Sequence, residues 1–362
     1  MVQGGMVQGA HPKFAISVPV GAYHPLLKSC LASLARQRAD VAVAFLDASG
    51  DPRVAQLADQ YAGLFAYRRH GPDKGQSDAI LEGWRNVPGD VLGWLNADDF
   101  LYPGALDLVA EKFAADAGVD IVFGHSAICD ATGAMTGYHS AVRADAEQLR
   151  VGGSISQPSC LFKRDAYERA GGLDIDRHFT MDWDLWLRLL QSGARFEFLD
   201  RPLSVVFWGD GTKTASFNSR RREELRSLIE RFTPADQRAR VFRGFATQAT
   251  LDLYCPPALR KFLQRHLGRN RTEIFGMTSS GAIDKQASIH WFHFRPKPTK
   301  AISVEFDAPC EVEIAADREI ATAEPAGAAY RVAFAAPVGP GEVVELIIRP
   351  HADVRFVKAD WI

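Results

Sequence analysis

Two adjacent carboxylates, Asp98 and Asp99, follow the apolar run VLGWLN, which covers residues 91–96 and has the length of a buried strand. Two like charges at the end of a strand are costly unless a cation neutralises them. Oxygen ligands suit Mg²⁺ and Mn²⁺, and Mg²⁺ is usually held by one or two carboxylates together with substrate phosphates. Adjacent side chains on an extended segment point in opposite directions, so we expect only one of the two to contact the metal. The simpler interpretation of this pair alone is that both face solvent beside the helix that follows.

Two further segments point to a bound ligand. The apolar run VAVAFLD, residues 41–47, ends in Asp47 and is followed by small residues that let a ligand approach the backbone. The segment GPDKGQSDAILEGW, residues 71–84, places a glycine-rich turn with Lys74 and Gln76 before a predicted helix. Backbone N–H groups and the helix dipole favour an anion at such a helix start, so we assign Lys74 and Gln76 to ligand binding. Taken singly, Asp47 is also explained as a turn former and Lys74 as a surface charge.

A third segment predicts a helix with two carboxylates in its first turn. Asp182 and Asp184 follow Thr180, a suitable N-cap residue, in the sequence TMDWDLWLRLL. Two residues correspond to about 200° around a helix, so the two carboxylates cannot both face one reacting centre. Arg188 lies four residues after Asp184 and can pair with it. Both carboxylates are also explained as residues that the helix dipole favours.

These residues need elements that bring them together. The runs FAISVPV (14–20) and VAVAFLD (41–47) predict strands with a helix between them, and residues 91–96 predict a third strand. PGALDLVAEKFAAD (103–116) predicts a helix opened by proline, and DIVFG (120–124) a further strand. Alternating β and α elements predict an α/β fold around a mostly parallel sheet. The carboxylates then lie at the carboxyl ends of strands, where open α/β sheets bind their ligands.

The composition excludes several classes of protein. With 362 residues, 47% of them hydrophobic, the chain can fill a sizeable core, and its net charge of -2 gives no reason to expect nucleic acid. No apolar run has the roughly 18 residues of a membrane span, and the start MVQGGMVQGAHPK lacks the features of a signal peptide. We therefore expect a soluble, cytoplasmic protein with a flexible leader over residues 1–12. The five scattered cysteines indicate neither a disulfide framework nor a zinc site, so we expect reduced thiols.

Two different kinds of sequence follow the α/β region. Residues 219–271 hold 13 Lys and Arg against five Asp and Glu, and the stretches SRRREELRSLIERF and PPALRKFLQRHLGR predict amphipathic helices. We interpret residues 219–280 as a basic helical segment packed on the first domain. The functional alternative is peripheral membrane contact through residues 219–271, whose positive charges would attract anionic lipid headgroups. Residues 281–362 alternate apolar and polar residues between Pro and Gly, which predicts a small antiparallel β-sandwich.

Over about residues 13–215 the sequence resembles the bacterial family 2 glycosyltransferases, which have the GT-A fold. The resemblance rests on three linked pieces, DKGQSDAI…GW, GDVLGWLNADD…PGAL and MDWDLWLRL, which are specific in this combination and order. It implies a GT-A domain over residues 13–218 that binds a nucleotide-sugar donor together with Mn²⁺ or Mg²⁺.

The resemblance also implies a role for each matching carboxylate. Asp47, at the end of the second strand, would contact the nucleotide base. Of the motif pair, Asp98 would lie near the ribose and the metal, and Asp99 would coordinate the metal. Asp182, which precedes the WDLW type of helix, would be the catalytic base of an inverting reaction. The opposed directions of the two helix carboxylates then leave Asp184 as a supporting residue.

The sequence departs from the family pattern at two places. Relatives often have Glu before the catalytic aspartate, where this chain has Met181. Relatives also often have His near the end of the domain, where this chain has VVFWGDGTKTAS, residues 205–216. A residue of this stretch would have to complete the metal or diphosphate site. The candidates are Asp210, Lys213 and Thr214, and we assign Lys213 to donor binding.

The predicted function is transfer of a sugar from a nucleotide sugar, with a UDP-sugar as the expected donor, to an acceptor hydroxyl with inversion. The acceptor would be a carbohydrate or a lipid-linked glycan in glycan or polysaccharide biosynthesis, in the cytoplasm or at the inner face of the membrane. Two alternatives stay open. A nucleotidyltransferase that makes nucleotide sugars would need a Gly- and Arg-rich loop after the first strand, where this chain has VPVGAYHP. A catalytically inactive nucleotide-sugar-binding scaffold would tolerate the two departures.

Overall fold

The computed structural model describes residues 11–139, 146–209, 217–256, 259 and 273–362. Its helices are α1 (Leu27–Ala35), α2 (Pro52–Gln60), α3 (Gln76–Asn86), α4 (Ala105–Ala115), α5 (Ala146–Val151), α6 (Arg164–Arg169), α7 (Met181–Gln191), α8 (Ser219–Phe232) and α9 (Arg238–Tyr254). Its first strands are β1 (Phe14–Val20), β2 (Val41–Asp47), β3 (Phe65–His70), β4 (Val91–Trp94), β5 (Phe100–Leu101), β6 (Ile121–Cys129), β7 (Met135–His139), β8 (Cys160–Lys163) and β9 (Phe196–Phe207). The later strands are β10 (Glu273–Ile274), β11 (Met277–Thr278), β12 (Ala282–Ile283), β13 (Ala287–Phe292), β14 (Thr299–Phe306), β15 (Val312–Ala316), β16 (Ile320–Ala326), β17 (Ala329–Val338), β18 (Val343–Pro350) and β19 (Val354–Trp361).

The described residues group into two compact units. The first unit takes its residues from Met1–Gly124 and Arg143–Leu203, and the second from His125–Val142 and Ser204–Ile362. β6 and β9 therefore contribute residues to both units. The domain boundaries expected from the sequence, after residues 218 and 280, remain a proposal. In the structure, β7 and the last residues of β6 group with the C-terminal residues.

The sheet of the first unit is mostly parallel, as the sequence predicts. β3, β2, β1 and β4 lie side by side in parallel, β8 is antiparallel to β4, and β6 is antiparallel to β8. β1 and β2 cover the predicted residues 14–20 and 41–47. β4 ends at Trp94 rather than at residue 96, and β6 continues to Cys129 rather than ending at residue 124.

α3 lies close against β1. Gly83 permits this approach, because a Cβ atom at that position would overlap Oγ of Ser17. The buried hydroxyl of Ser17 donates a hydrogen bond to the carbonyl of Ile80 at 2.9 Å. These contacts fix the helix that begins at Gln76, and so they fix the start of the predicted ligand-binding segment.

The helix α4 begins later than the sequence predicts. It begins at Ala105 rather than at Pro103, because Gly104 has a φ of 70°, which is outside the right-handed helical region.

An aromatic cluster packs α7 against the sheet. Trp186 of α7 stacks on Trp94 of β4 with ring centroids 6.0 Å apart. Phe162 of β8 contacts Trp186 edge to face at 5.5 Å, and Trp84 of α3 contacts Trp94 at 5.9 Å. This cluster holds the helix that carries Asp182 beside the end of β4.

The second unit contains two antiparallel sheets. In one sheet β16, β17, β14 and β19 lie in that order, and β19 also pairs with β7 and β12. The other sheet consists of β13, β18 and β15. The stretch after residue 281, in which the sequence predicts strands, includes β14, β15, β17, β18 and β19. The buried residues of these sheets include Trp291, Phe306 and Trp361, and the predicted antiparallel β module is confirmed.

The basic segment, residues 219–280, forms helices α8 and α9 over most of its described residues, whereas its last described residues form β10 and β11. α8 covers the predicted stretch Ser219–Phe232, buries Leu225, Leu228 and Ile229, and leaves Arg222 exposed. The second predicted helix, the stretch PPALRKFLQRHLGR, lies almost entirely outside the described residues. Within the described part of the chain, every helix is too short or too polar to cross a membrane.

Candidate active site

Asp47 lies at the edge where three parallel strands end. In the register of the sheet it is opposite Val20 of β1 and His70 of β3. Its Oδ1 accepts hydrogen bonds from the backbone N–H and the hydroxyl of Ser49 at 2.8 and 2.6 Å. Its Oδ2 lies 2.7 Å from Nδ1 of His70. The side chain of Asp47 is 3% exposed, and its hydrogen-bond partners on both sides fix its orientation. Its contact with a nucleotide base stays a prediction.

Asp98 and Asp99 lie in a turn rather than on an extended segment. The backbone N–H of Asp99 donates to the carbonyl of Asn96 at 3.1 Å, directly after β4 ends. We expected the side chains of Asp98 and Asp99 to point in opposite directions because the segment would be extended. The segment is not extended, so this premise is wrong. Burial raises the pKa of the Cys30 thiol, and the negative charges of Asp99 and Asp98 raise it further. Both carboxylates thus lie near the same buried thiol of α1. All five cysteines are free thiols, as predicted.

The two carboxylates have different surroundings. Burial raises the pKa of Asp98, although a backbone hydrogen bond and the nearby His24 oppose the rise. Burial also lowers the pKa of His24, and the charge of Asp98 opposes that change. Asp99 is 6% exposed, and its Oδ2 accepts a hydrogen bond from Nδ2 of Asn96 at 3.0 Å. His24 is a neighbour of the pair that the sequence analysis missed, since a single histidine in a loop carries no motif.

The turn before α3 is shaped by two carboxylates. Asp73 Oδ1 accepts a hydrogen bond from the N–H of Gly75 at 2.9 Å, and Asp78 Oδ2 accepts one from the N–H of Lys74 at 3.1 Å. Gly75 has a φ of 119°, which is open to glycine without strain, and Gln76 is the first helical residue. Lys74 is exposed at this turn, so an anionic ligand at the helix start can reach its ammonium group.

α7 brings Asp182 to the start of α3. The helix begins at Met181, and Asp182 lies in its first turn, as predicted. The hydroxyl of Ser77, the second residue of α3, donates to Sδ of Met181 at 3.0 Å. Met181 stands where the resembling family often has Glu, and its thioether is buried in this contact. Burial raises the pKa of the Cys160 thiol at the start of β8, and the nearby charge of Asp182 raises it further.

Asp184 has a structural role. It is 1% exposed, and its Oδ2 accepts a hydrogen bond from Nε of Arg188 at 2.7 Å, the pair that the sequence spacing predicts. Its Oδ1 lies 3.2 Å from Nε of Arg177, a second partner that the sequence did not indicate. Arg188 also donates to the carbonyls of Ala170 and Gly172 at 2.7 and 2.5 Å. Asp184 therefore ties α7 to the loop before it, and its carboxylate is occupied.

Two amide side chains that the sequence analysis did not assign connect these elements. Asn96 Oδ1 accepts a hydrogen bond from Gln76 Nε2 at 2.6 Å. Asn96 Nδ2 donates to Asp99 at 3.0 Å and to Oε1 of Gln157 at 3.3 Å. Gln157 lies just before β8 and donates its Nε2 to the carbonyl of Trp94 at 2.8 Å. Asn96 opens the NADD part of the second linked piece, but a neutral amide indicates no chemistry by its type alone.

A metal ion at this edge would have Asp98 and Asp99 as its candidate protein ligands. In the ranges that the structure covers, no group of three or more His, Cys, Asp and Glu residues is arranged to hold a metal ion. The pair nevertheless fits Mg²⁺ or Mn²⁺, because such ions usually take their remaining ligands from substrate phosphates and water. Asp210, Lys213 and Thr214, the predicted additional residues, lie outside the described residues.

Comparison with known proteins identifies the first part of the chain. Residues 16–170 match the family described as Glycosyl transferase family 2. This stretch is a family 2 glycosyltransferase domain. PGL/p-HBAD biosynthesis glycosyltransferases of Mycobacterium bovis and Mycobacterium tuberculosis are 25% identical to the chain over 190 residues, which is 51% of this chain and 72% of theirs.

Solved glycosyltransferase structures show lower sequence similarity. S. aureus TarS 1-349 in complex with UDP-GlcNAc is 15% identical, has a TM-score of 0.48, and is matched over 73% of this chain and 75% of that one. The mannosyltransferase PcManGT from Pyrobaculum calidifontis, in complex with GDP-Man and Mn²⁺, is 17% identical with a TM-score of 0.45, over 71% of this chain and 80% of that one. This likeness assigns no ligand to this chain.

The family 2 glycosyltransferase match contains the predicted donor and metal residues that the structure describes, namely Asp47, Lys74, Gln76, Asp98 and Asp99. Asp182 lies beyond the matched residues, in α7. Its assignment as a catalytic base therefore stays a prediction, supported by its place beside the start of α3.

Asp98→Asn is expected to raise the melting temperature at about pH 7 in the presence of a chelator. Burial raises the pKa of Asp98, so the folded state disfavours the ionised carboxylate relative to the unfolded chain. This penalty is absent below the ordinary aspartate pKa of about 3.9 and grows as the pH rises through the raised folded-state pKa. The stabilisation by asparagine should therefore be present at neutral pH and disappear near pH 3.

Thermal unfolding of the variant and the wild type at both pH values measures this effect. Asp353→Asn, at an exposed carboxylate of the second unit, controls for the change in net charge. A melting temperature at neutral pH that is unchanged or lower in Asp98→Asn would show that the ionised carboxylate is not disfavoured in the folded state.

Proposed function

We propose that this protein transfers a sugar from a nucleoside-diphosphate sugar, in the first instance a UDP-sugar, to an acceptor hydroxyl with inversion. The observation that carries the proposal is the meeting of the carboxylates after β4 with the starts of α3 and α7. The Gln76–Asn96 hydrogen bond of 2.6 Å joins the first two, and the contact of 3.0 Å between Ser77 and Met181 joins α3 to α7. A nucleotide sugar needs these parts together, because its diphosphate is directly bonded to the reacting anomeric carbon.

The donor side of the proposed site consists of three carboxylates and the start of α3. Asp47 is assigned to the nucleotide base on the family resemblance, and its fixed orientation suits that role. Asp99, with Asp98, would hold Mn²⁺ or Mg²⁺. When bound, such a cation stabilises the charge that develops on the leaving diphosphate. Lys74 and the helix start add positive potential on the same side.

Asp182 is the general base in this proposal. The acceptor oxygen bonds to the anomeric carbon as the bond to the diphosphate breaks, and the hydroxyl proton passes to the carboxylate. Asp182 is partly exposed, whereas Asp184 is buried and paired with two arginines. Asp182 is therefore the carboxylate of α7 that a hydroxyl group can reach.

The acceptor in this proposal is a carbohydrate or a lipid-linked glycan. The mycobacterial relatives are named for PGL/p-HBAD biosynthesis, and the family resemblance points to glycan synthesis. Arg222 and Arg226 of α8 are exposed, and cations facing anionic lipid contribute very roughly 1 kcal/mol each. We therefore include in the proposal a peripheral contact of the basic segment with an anionic membrane surface.

Hydrolysis of nucleotide sugars tests the proposed function. We expect one of a set of UDP-, GDP-, dTDP- and CDP-sugars to release its nucleoside diphosphate slowly when Mn²⁺ is present, with water replacing the acceptor. A chelator should stop the release. A nucleotidyltransferase would instead consume a sugar phosphate and a nucleoside triphosphate, and a scaffold would bind a nucleotide sugar without turnover. Either of those results would refute the proposal.

A further inference from the structure

A chain of three amide side chains crosses the candidate active site. It runs from Gln76 at the start of α3, through Asn96 after β4, to Gln157 before β8. The links are hydrogen bonds of 2.6 and 3.3 Å, and the chain ends on the carbonyl of Trp94 at 2.8 Å. Asn96 is the central member, and it also donates to the carboxylate of Asp99 at 3.0 Å.

Two groups that can only accept hydrogen bonds, one at the end of this chain and one beside its central member, fix the orientation of every amide. The carbonyl of Trp94 can only accept a hydrogen bond, so Gln157 must present its NH₂ group there and its Oε1 towards Asn96. An ionised Asp99 is likewise only an acceptor, so Asn96 must present its NH₂ group to it. The two hydrogens of Asn96 Nδ2 then serve Asp99 and Gln157, and its Oδ1 is left to accept from Gln76.

This orientation has a consequence for the carboxylate. Asp99 is 6% exposed, so few solvent molecules can compete for its oxygens, and the hydrogen bond from the amide of Asn96 contributes to where Oδ2 points. Polar networks at low local dielectric hold their members more firmly than separate exposed hydrogen bonds. The same amide contacts Gln76, so a shift at the start of α3 is passed to the carboxylate through one side chain.

We propose that Asn96 is a positioning residue for metal and donor binding. It holds the carboxylate of Asp99 in one orientation and couples that carboxylate to the donor-binding segment at Gln76, while Gln157 holds the amide itself. This inference rests on the proposed function, because it requires that Asp99 binds a divalent cation. Groups that orient a metal ligand typically contribute 10- to 100-fold to metal affinity.

The test is a titration of Mn²⁺ into the full-length protein with saturating UDP, with free Mn²⁺ followed by electron paramagnetic resonance. Asn96→Ala is expected to weaken Mn²⁺ binding by about 10- to 100-fold, and Gln157→Ala by a smaller factor. In the Asn96→Ala background, Gln157→Ala should add little further loss, because it acts through the missing amide. Asn86→Ala, at an exposed asparagine near the end of α3, should bind Mn²⁺ like the wild type.

The outcomes separate this inference from the proposed function. Equal Mn²⁺ affinity in Asn96→Ala and the wild type would overturn the positioning role alone. Losses in Asn96→Ala and Gln157→Ala that multiply in the double variant would also overturn it, since independent structural damage adds in free energy. Absence of UDP-dependent Mn²⁺ binding by the wild type would overturn the metal assignment and the inference together. If Asn96→Ala does not fold, the single variant Gln157→Ala decides, and unchanged Mn²⁺ binding by it refutes the coupling.

Discussion

Asp182→Asn is expected to lower the rate of sugar transfer, or of donor hydrolysis, by about 10²- to 10⁴-fold, the usual contribution of a positioned general base. Asparagine keeps the shape of the side chain but cannot take the proton of the acceptor. Binding of the nucleotide and the metal should remain nearly intact, because the donor-side carboxylates lie on other elements, Asp47 on β2 and Asp98 and Asp99 after β4. Rates measured with saturating donor, together with donor-binding calorimetry, separate these two effects.

The matched control for this variant is Asp165→Asn. Asp165 also lies in the first turn of a helix, α6, but it is exposed and pairs with Arg169. Its replacement should leave the transfer rate within about twofold, since substitutions of exposed residues usually have small effects. A rate loss in Asp182→Asn no larger than in this control, or a loss of donor binding, would place the base on a different residue.

Asp184→Asn is expected to destabilise the first unit by about 3 kcal/mol, which is the lower end for breaking a buried ion pair. Asp184 is 1% exposed, and both oxygens face an arginine, Arg188 at 2.7 Å and Arg177 at 3.2 Å. The neutral amide leaves two poorly exposed guanidinium groups without their counter-charge, and it turns one accepting oxygen into a donor. The sequence spacing alone would predict only a few tenths of a kcal/mol, the value of an exposed pair.

Chemical denaturation followed by tryptophan fluorescence measures this loss, with Asp107→Asn as the matched control. Asp107 lies in the first turn of α4 and pairs with Arg38, which is 86% exposed, at 3.5 Å. Removing such a surface pair should cost no more than about 1 kcal/mol. If both variants lose the same free energy of unfolding, burial adds nothing to the Asp184 network.

The sequence predicts those elements in which one local signal dominates. β1 and β2 are continuous apolar runs buried along nearly their whole length, and their bounds coincide with the prediction. α8 also follows its predicted bounds, because its apolar residues repeat at helical spacing and Asn218 caps its start. The predicted start of α4 was wrong, because the φ of 70° at Gly104 depends on the fold and not on the local sequence alone.

Two of the strands that were not predicted from the sequence lack that local signal. β3 alternates half-buried and exposed residues at the edge of its sheet, and its sequence FAYRRH is basic. β16 is almost wholly exposed, so nothing in its composition indicates a strand. Its place depends on pairing with β17, a contact that only the folded chain provides.

The candidate site likewise contains residues that the sequence indicates and residues that it does not. Charged residues at strand ends and helix starts could be identified from the sequence, because a buried charge is costly unless a partner neutralises it. Asn96 and Gln157 were missed because neutral amides are common at turns for local reasons, and their connection across 61 residues of sequence exists only in the fold. The second partner of Asp184 was missed for the same reason, since Arg177 lies in a loop without periodicity.

The most direct test of the central claim, that this edge of the sheet binds the diphosphate of the donor through a metal, is calorimetry of UDP with Mn²⁺ or with a chelator. We expect the wild type to bind UDP more tightly with Mn²⁺. We expect Asp99→Asn, which keeps the shape of the side chain and removes its charge, to lose this dependence on Mn²⁺ while it remains folded. Mn²⁺-dependent UDP binding that is undiminished in a folded Asp99→Asn protein would contradict the account.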